Sequence, residues 1–256
     1  MKLSQWLANS GVSQSELARR LGITQGRVSQ LVAGAAPSLE LAMKIEAATG
    51  QKVRPQDFKD DDMSDAHKLD TVDDAIKAIA AGQMVVVVDD DDRENEGDLI
   101  AAASKITPEQ MAFMVRHTSG IVCTPITPED ARRLKLDPMV ALNDAPLGTA
   151  FTVSIDYKEG LTTGISAKER CATVHALANA NVQAADFVRP GHVFPLVAKS
   201  GGVLMRSGHT EAAVDLARLA GLHPAGVICE LVNDDGSVKR GAQVNAFARE
   251  HGFKII

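Results

Sequence analysis

Cysteine is scarce in this chain. Cys123, Cys171 and Cys229 are the three among 256 residues. They lie far apart and form no zinc-type pair, and an odd number argues against a disulfide framework. Such usage fits a reducing, cytoplasmic compartment. No apolar run approaches the roughly 18 to 20 residues of a membrane helix, and Met1 opens no signal-peptide pattern, so no membrane partner is expected. A G-x-G-x-x-G turn and a phosphate-loop lysine are also missing, which makes dinucleotides and nucleoside triphosphates poor ligands. What is present is ordinary for a globular protein, 45% hydrophobic and 23% charged, in a chain long enough for two domains.

The net charge of −6 is unevenly spread. Residues 1–58 hold seven Lys/Arg against four Asp/Glu, a net of +3 that leaves −9 for the remainder. A basic head on an acidic body points to two modules with different partners. The head reads as short helices. Ser13 caps Gln14 to Leu21, with Glu16 three residues on, and Gly22 stops that helix. Thr24 caps Gln25 to Val32, which Gly34 ends; Ser38 starts Leu39 to Ala48, which Gly50 ends. Leu17, Ala18, Leu21, Ile23, Val28 and Leu31 are spaced to share one buried face. Two short helices joined by a glycine turn describe a helix-turn-helix. Residues 59–67, rich in Asp and without apolar pattern, read as a solvated linker.

From residue 68 to 256 helices and strands interleave without a regular βαβ repeat. The patterns predict helices over Val72–Ala81, Pro108–His117, Pro128–Leu134, Ala167–Ala180, Thr210–Ala220 (with Thr210 as cap) and Ala242–His251. They predict strands over Met84–Val88, Ile121–Cys123, Phe151–Ile155, Val203–Met205 and Gly226–Val232. The expected class is α+β, a mixed sheet with helices on both sides, preceded by the small all-α head.

Three segments carry chemistry. Asp89 to Asp98 packs seven carboxylates and Arg93 into ten residues at a strand end. Acidic runs are often solvated faces, but a loop concentrating carboxylates at a strand end also suits a hard cation and proton transfers. Arg189–Pro195 reads as a rigid Gly/Pro-rich loop holding His192. Arg206-Ser207-Gly208-His209-Thr210 leads into a helix N-terminus and offers an Arg fork, free amides and a hydroxyl to a phosphate. Each histidine taken singly is more often structural. Together with Cys229-Glu230 and the acid loop, the set holds cation ligands, an acid, a base and an anion site.

The head, through Ser-Gln-Ser-Glu-Leu-Ala-Arg-Arg-Leu-Gly-Ile-Thr-Gln-Gly-Arg-Val-Ser-Gln-Leu, resembles the Cro/repressor-like helix-turn-helix family. That resemblance implies duplex DNA as partner, read by Thr24, Gln25, Arg27 and Gln30 at the start of the second helix. One copy would bind weakly, so the body should supply dimerisation. The body resembles the 3,4-dihydroxy-2-butanone 4-phosphate synthase family. Six motifs occur in the family's order: Asp-Arg-Glu-Asn-Glu-Gly-Asp, Thr-Ala-Phe-Thr-Val-Ser-Ile-Asp, Thr-Thr-Gly-Ile-Ser-Ala, Arg-Pro-Gly-His-Val-Phe-Pro-Leu, Arg-x-Gly-His-Thr-Glu-Ala and Ile-Cys-Glu-Leu. The resemblance implies a carbon–carbon lyase of riboflavin biosynthesis. It would act as a homodimer with Mg2+ (or Mn2+), converting ribulose 5-phosphate to the four-carbon product and formate. It implies Glu94 and His209 as metal ligands. It assigns the sugar phosphate to Arg93, Asp98 and the Arg206–Thr210 loop, and proton transfer to His192 and Glu230. Glu96, Asp89 and Cys123 are weaker candidates. Glu169 stands where the family usually carries Asp, and Lys254-Ile255-Ile256 comes early for the family's end.

Two other readings share these residues. One is a transcription regulator whose synthase-like body senses a sugar phosphate. The other is a metal-dependent sugar-phosphate isomerase or aldolase, which shares the enediolate step but not formate release.

Overall fold

A computed structural model describes residues 1–32, 37, 39–58, 69–90 and 93–256. The expected linker over 59–67, the caps Gly34 and Ser38, and Asp91 and Asp92 of the acid run lie outside the described residues. The chain divides into two compact units, Met1–Lys68 and Leu69–Ile256.

The first unit is helical: α1 (Leu3–Ser10), α2 (Gln14–Leu21), α3 (Gln25–Val32), α4 (Leu39–Ala48) and a 3-10 turn over Pro55–Phe58. Ser13 accepts the Glu16 amide at 3.1 Å, and Gly22 closes α2 at φ 68°. Thr24 accepts the Arg27 amide at 3.2 Å. Leu17, Val28 and Ile45 are fully buried, and they share one core with Leu3, Trp6, Leu21, Leu31 and Val53.

The second unit is a seven-stranded mixed sheet in the order β4-β5-β3-β6-β2-β1-β7. Its strands are β1 (Val85–Val88), β2 (Gly97–Ala102), β3 (Cys123–Ile126), β4 (Ile155–Tyr157), β5 (Phe187–Val197), β6 (Gly226–Glu230) and β7 (Lys254–Ile255). Its helices are α5 (Val72–Ala80), α6 (Pro108–His117), α7 (Pro128–Arg133), α8 (Ala167–Leu177), α9 (His209–Leu219) and α10 (Ala242–Glu250). Successive strand residues face opposite ways. Val86, Leu99, Ala101, Val227 and Cys229 therefore join one core with α6, α8 and α10. Val85, Val87, Ile100, Ala102 and Ile228 join the other, with α5 and α9. Helices thus cover both faces, as the apolar strands require.

Three expectations are corrected. Arg189–Pro195 is not a loop but the middle of β5, which pairs in parallel with β3 at Cys123↔Phe194. Pro195 lacks a donor, yet its carbonyl still accepts the Thr152 amide at 3.0 Å. Val203–Met205 is not a strand. It belongs to a 3-10 turn over Gly202–Leu204, and Leu204 is 92% exposed. The Val203 amide donates to Asp215 Oδ2 at 2.9 Å and the Met205 amide to the Gly202 carbonyl, with no strand paired there among the described residues, so the apolar run misleads. Thr210 does not cap α9: Gly208 precedes the helix, and Thr210 is drawn inside the first turn. β3 also lies later than the predicted Ile121–Cys123, and β7 has too few residues to show a period.

The two-sided sheet makes its central strands sensitive. Leu99 on β2 is fully buried beside Asp98. Leu99→Ala should lower unfolding free energy by about 2–5 kcal/mol, read as a lower urea midpoint at unchanged slope.

Candidate active site

The acid run is the connection between antiparallel β1 and β2, whose ends pair at Val88↔Gly97. It is folded by its first carboxylate. Asp89, with a side chain 4% exposed, accepts the Glu94 amide at 3.1 Å, the Glu96 amide at 2.9 Å and the Arg93 guanidinium at 2.7 Å. Burial opposes its charge. The Glu96 amide, Arg93 and the Glu94 amide outweigh that and hold the carboxyl below its ordinary value. Arg93 also pairs with Glu94. Part of this run is therefore an internally bonded turn and not a loose solvated face.

Strand alternation then collects the rest. Asp98 on β2 lies opposite Glu230 on β6, and Cys123 on β3 lies opposite Ile228. The alternation puts Asp98, Glu230 and Cys123 on the sheet face covered by α9, and α9 opens with His209. His209 Nδ1 stands 3.5 Å from Asp98 Oδ1 and 3.9 Å from Glu94 Oε2. Ligand atoms of Asp89, Glu94 and His209 lie within 4.8 Å of one another. Two buried polar atoms here lack a hydrogen-bond partner, Asp98 Oδ1 and His209 Nε2. Burial, and then Glu230, Glu94, Glu96 and Asp89, raise the Asp98 carboxyl well above its ordinary value. Burial holds the His209 imidazole below its own, although Asp89 and Glu94 pull the other way. An imidazole whose Nδ1 faces the carboxylates of Asp98 and Glu94, beside a buried carboxylate oxygen with no partner, fits a hard divalent cation.

All of these groups except Asp89, which borders a neighbouring hollow, line a cavity of about 110 Å3. Arg93, Glu94, Glu96, Asp98, Cys123, Arg206, His209, Thr210 and Glu230 border it, with Thr149, Phe151, Leu196 and Ile228. Glu230 is held by the Ser119 hydroxyl, which donates to Oε2 at 2.6 Å. Cys123 stays a thiol, because burial and Glu230 push its ionisation far up. Arg206 is braced at 2.6 Å by Glu211, itself 1% exposed, and donates to Thr149 Oγ1 at 3.1 Å. A side chain on Gly208 would run into the Arg206 guanidinium and meet Arg93 at 3.0 Å. Two guanidiniums therefore converge at the start of α9, where first-turn amides have no partner inside the helix.

Ser207 and Gly208 fall elsewhere: with His209 and Asp90 they line a neighbouring hollow of about 290 Å3. His192 is not among the residues bordering the first cavity. It sits on β5 with its side chain 40% exposed, Nδ1 bonded to Asp156 Oδ2 at 2.7 Å and its amide to Asp156 Oδ1 at 2.9 Å. Sequence reasoning missed Asp156, Ser119 and Thr149. Thr149 and Asp156 were visible as the first and last residues of Thr-Ala-Phe-Thr-Val-Ser-Ile-Asp; Ser119 carries no signal of its own. In the helical unit, Thr24, Gln25 and Gln30 are exposed, while Arg27 is half-buried and donates to Gln30 Oε1 at 3.0 Å.

Comparison with known proteins matches residues 73–256 to the family described as 3,4-dihydroxy-2-butanone 4-phosphate synthase. The chain belongs to the 3,4-dihydroxy-2-butanone 4-phosphate synthase family. It is 59% identical over 191 residues to the riboflavin biosynthesis protein RibBA of Nocardia farcinica, covering 74% of this chain and 46% of that protein. It is 57% identical over 187 residues to the 3,4-dihydroxy-2-butanone 4-phosphate synthase of Pseudomonas aeruginosa, covering 73% and 51%. The chain thus spans about half the length of these curated relatives. A solved synthase described as in complex with two magnesium ions superposes with a TM-score of 0.71 at 48% identity, covering 73% of this chain and 93% of that one. Residues 3–54 match a helix-turn-helix family, so this synthase-family chain carries a helix-turn-helix domain at its head. Among the described residues no helix is long and apolar enough to cross a membrane.

Titration with Mg2+ or Mn2+ should raise the melting temperature, since a ligand at a hundred times its dissociation constant adds about 2.7 kcal/mol. Asp89→Asn should abolish that rise, and calorimetry would show the lost binding directly. An unchanged rise in the variant would remove Asp89 from the cation site.

Proposed function

We propose that residues 69–256 convert D-ribulose 5-phosphate to L-3,4-dihydroxy-2-butanone 4-phosphate and formate, a carbon–carbon lyase step of riboflavin biosynthesis. The active form is a cytoplasmic homodimer that uses Mg2+ or Mn2+. The observation that carries this reading is one cavity bordered by Glu94, His209, Glu230, Asp98, Arg93 and Arg206, with Asp89 close enough to share a cation with Glu94 and His209. The substrate must lose a proton beside its ketone, lose water, rearrange its skeleton and shed one carbon. Several proton transfers in one pocket need groups whose proton affinities are set apart.

Glu94 and His209, joined by Asp89, would hold the metal, which when bound stabilises charge on the substrate oxygens. Arg93 and Arg206, with the His209 and Thr210 amides, would take the phosphate, and Ser207 borders that turn from its other side. Glu230, oriented by the Ser119 hydroxyl, abstracts and returns the proton at the carbon beside the ketone. Asp98 faces Glu230 in the sheet, and its raised proton affinity lets it hold a proton in the same space. His192 serves the later proton transfers. It does not border the cavity of its own chain, and its exposed ring can reach a cavity through a facing copy in the homodimer.

Magnesium-dependent formate release from ribulose 5-phosphate is the expected activity. Glu94→Gln and His209→Ala should abolish it with folding intact. Glu230→Gln should lower turnover about a hundredfold to ten-thousandfold while substrate still binds. Absence of formate from the wild-type chain would instead favour a body that only senses a sugar phosphate, and triose or aldose products would favour an isomerase or aldolase.

We infer further that residues 1–58 bind duplex DNA through the start of α3, with Thr24, Gln25, Arg27 and Gln30 toward the major groove. Support comes from the net charge of +3 and from the helix-turn-helix match. Two heads in a homodimer would read two half-sites about one helical turn apart or a multiple of that. Such binding falls steeply with added salt. In selection from a random duplex library at moderate salt, a sequence should be enriched, and Arg27→Ala should cost about 1–3 kcal/mol on that sequence and less on random DNA. No enrichment and no mobility shift on any duplex would make the head a protein-docking module.

A further inference from the structure

Glu169 occupies the third position of α8, after the cap Ser166. An acidic side chain in that position ordinarily reaches back to the amide of the cap residue. Here it reaches further. Its Oε1 accepts the Thr162 amide at 2.6 Å, the Thr162 hydroxyl at 2.7 Å and the Gly164 amide at 3.2 Å; its Oε2 accepts the Ser166 hydroxyl at 2.7 Å. Three of these four donors belong to residues 162–164, outside the helix, so the carboxylate does more than end a helix. Bonds to an ionised acceptor are the stronger kind. The Ser166 hydroxyl and then the Thr162 amide and hydroxyl bring the Glu169 carboxyl down to about 2. A depressed carboxyl contributes above its ordinary value and loses its effect only as pH falls through the folded one. The clamp is therefore fully charged throughout the neutral range.

The clamped segment lies at the surface, with Thr162, Thr163 and Ser166 exposed and Ile165 52% exposed. Gly164 is the exception. It is buried at φ +84°, and a Cβ there would collide with Asp156 Oδ2 and lie 2.7 Å from His192 Nδ1. Its backbone thus lies flat against the Asp156–His192 hydrogen bond. The helix that bears Glu169 is tied to the strand that bears Asp156, because Thr173 Oγ1 of α8 accepts the Tyr157 amide at 2.9 Å. The carboxyl oxygen facing Nδ1 is an acceptor for a proton on that nitrogen, which leaves Nε2 for proton exchange.

We propose that Glu169 is a positioning residue: it clamps Thr162–Gly164 so that Gly164 covers the Asp156–His192 pair and holds the His192 ring in one orientation for proton transfer. The proposal rests on the synthase reading and on the role of His192 within it. A misplacement of about 1 Å at a reacting group costs up to about a hundredfold in rate.

The test compares the full-length wild type with Glu169→Gln and Glu169→Asp in the presence of Mg2+. It measures kcat and KM for formate release from ribulose 5-phosphate, together with hydrogen exchange at the Thr162 and Gly164 amides. In Glu169→Gln both amides should exchange faster, and kcat should fall about ten- to a hundredfold with KM and Mg2+ affinity nearly unchanged. Glu169→Asp, which keeps the charge, should recover part of kcat. Gly164→Ala pushes on the same pair from the other side and should lower kcat with Glu169 intact, which keeps the proposal open to refutation if Glu169→Gln does not fold. Wild-type kcat in Glu169→Gln with freed amides, or in a folded Gly164→Ala, overturns it. So does a rise in KM at constant kcat, which would make the loop a binding element. If the wild type releases no formate, the synthase reading falls and the proposal falls with it.

Discussion

The carboxylate of Asp89 folds the site. It lies at the end of β1, almost out of water, and draws two backbone amides and a guanidinium onto itself. A buried carboxylate left unpaired is costly, so the residues that follow must turn back toward it. That turn aims Glu94 at α9 and lets β2 begin with Gly97 and Asp98 in register with β1. Had Asp89 faced water, the acid run would be a solvated hairpin tip.

The same turn creates a debt of charge. Asp98, Glu94, Glu96 and Glu230 crowd one face of the sheet, and their repulsion with burial drives Asp98 toward its neutral form. Arg93 and Arg206 compensate only part of this, because Arg206 is committed to the buried Glu211. The unpartnered Asp98 Oδ1 and His209 Nε2 mark where compensation is missing. A dication held there would neutralise several carboxylates at once without filling the cavity.

Order around the cavity and at the Asp156–His192 pair comes from supporting hydrogen bonds. Ser119 orients Glu230, Asp156 orients His192, Glu211 braces Arg206, and Glu169 gathers the segment that covers the Asp156–His192 pair. Each works through a hydrogen bond to a charged group, the strong class. Supporting residues of this kind make acid–base chemistry depend on fractions of an ångström. The helical head uses the same economy on a smaller scale, where Ser13 and Thr24 cap helices too short to stand alone.

Much of this was legible in the chain. Local signals act over a few residues, so α2 and α3 could be read from Ser13 and Thr24 with the apolar spacing behind them. The acid run and His209 could be picked out as candidates only together, since acidic runs are often solvated faces and a lone histidine is more often structural; that Glu94, Asp98 and His209 border one cavity was decided by the sheet and the start of α9. The apolar run Val203–Met205 misled because propensity is local whereas a strand exists only with a neighbour. For the same reason Arg189–Pro195 read as a loop: its prolines signalled a turn, and the parallel partner β3 and the antiparallel partner β4 make it β5. Residue types and local caps were thus determined by the sequence itself. Which residues meet was decided by sheet order and side-chain alternation, which put Asp98 opposite Glu230 and Asp156 against His192 across tens of residues. Such pairings follow from long-range register, and no short window of sequence contains it.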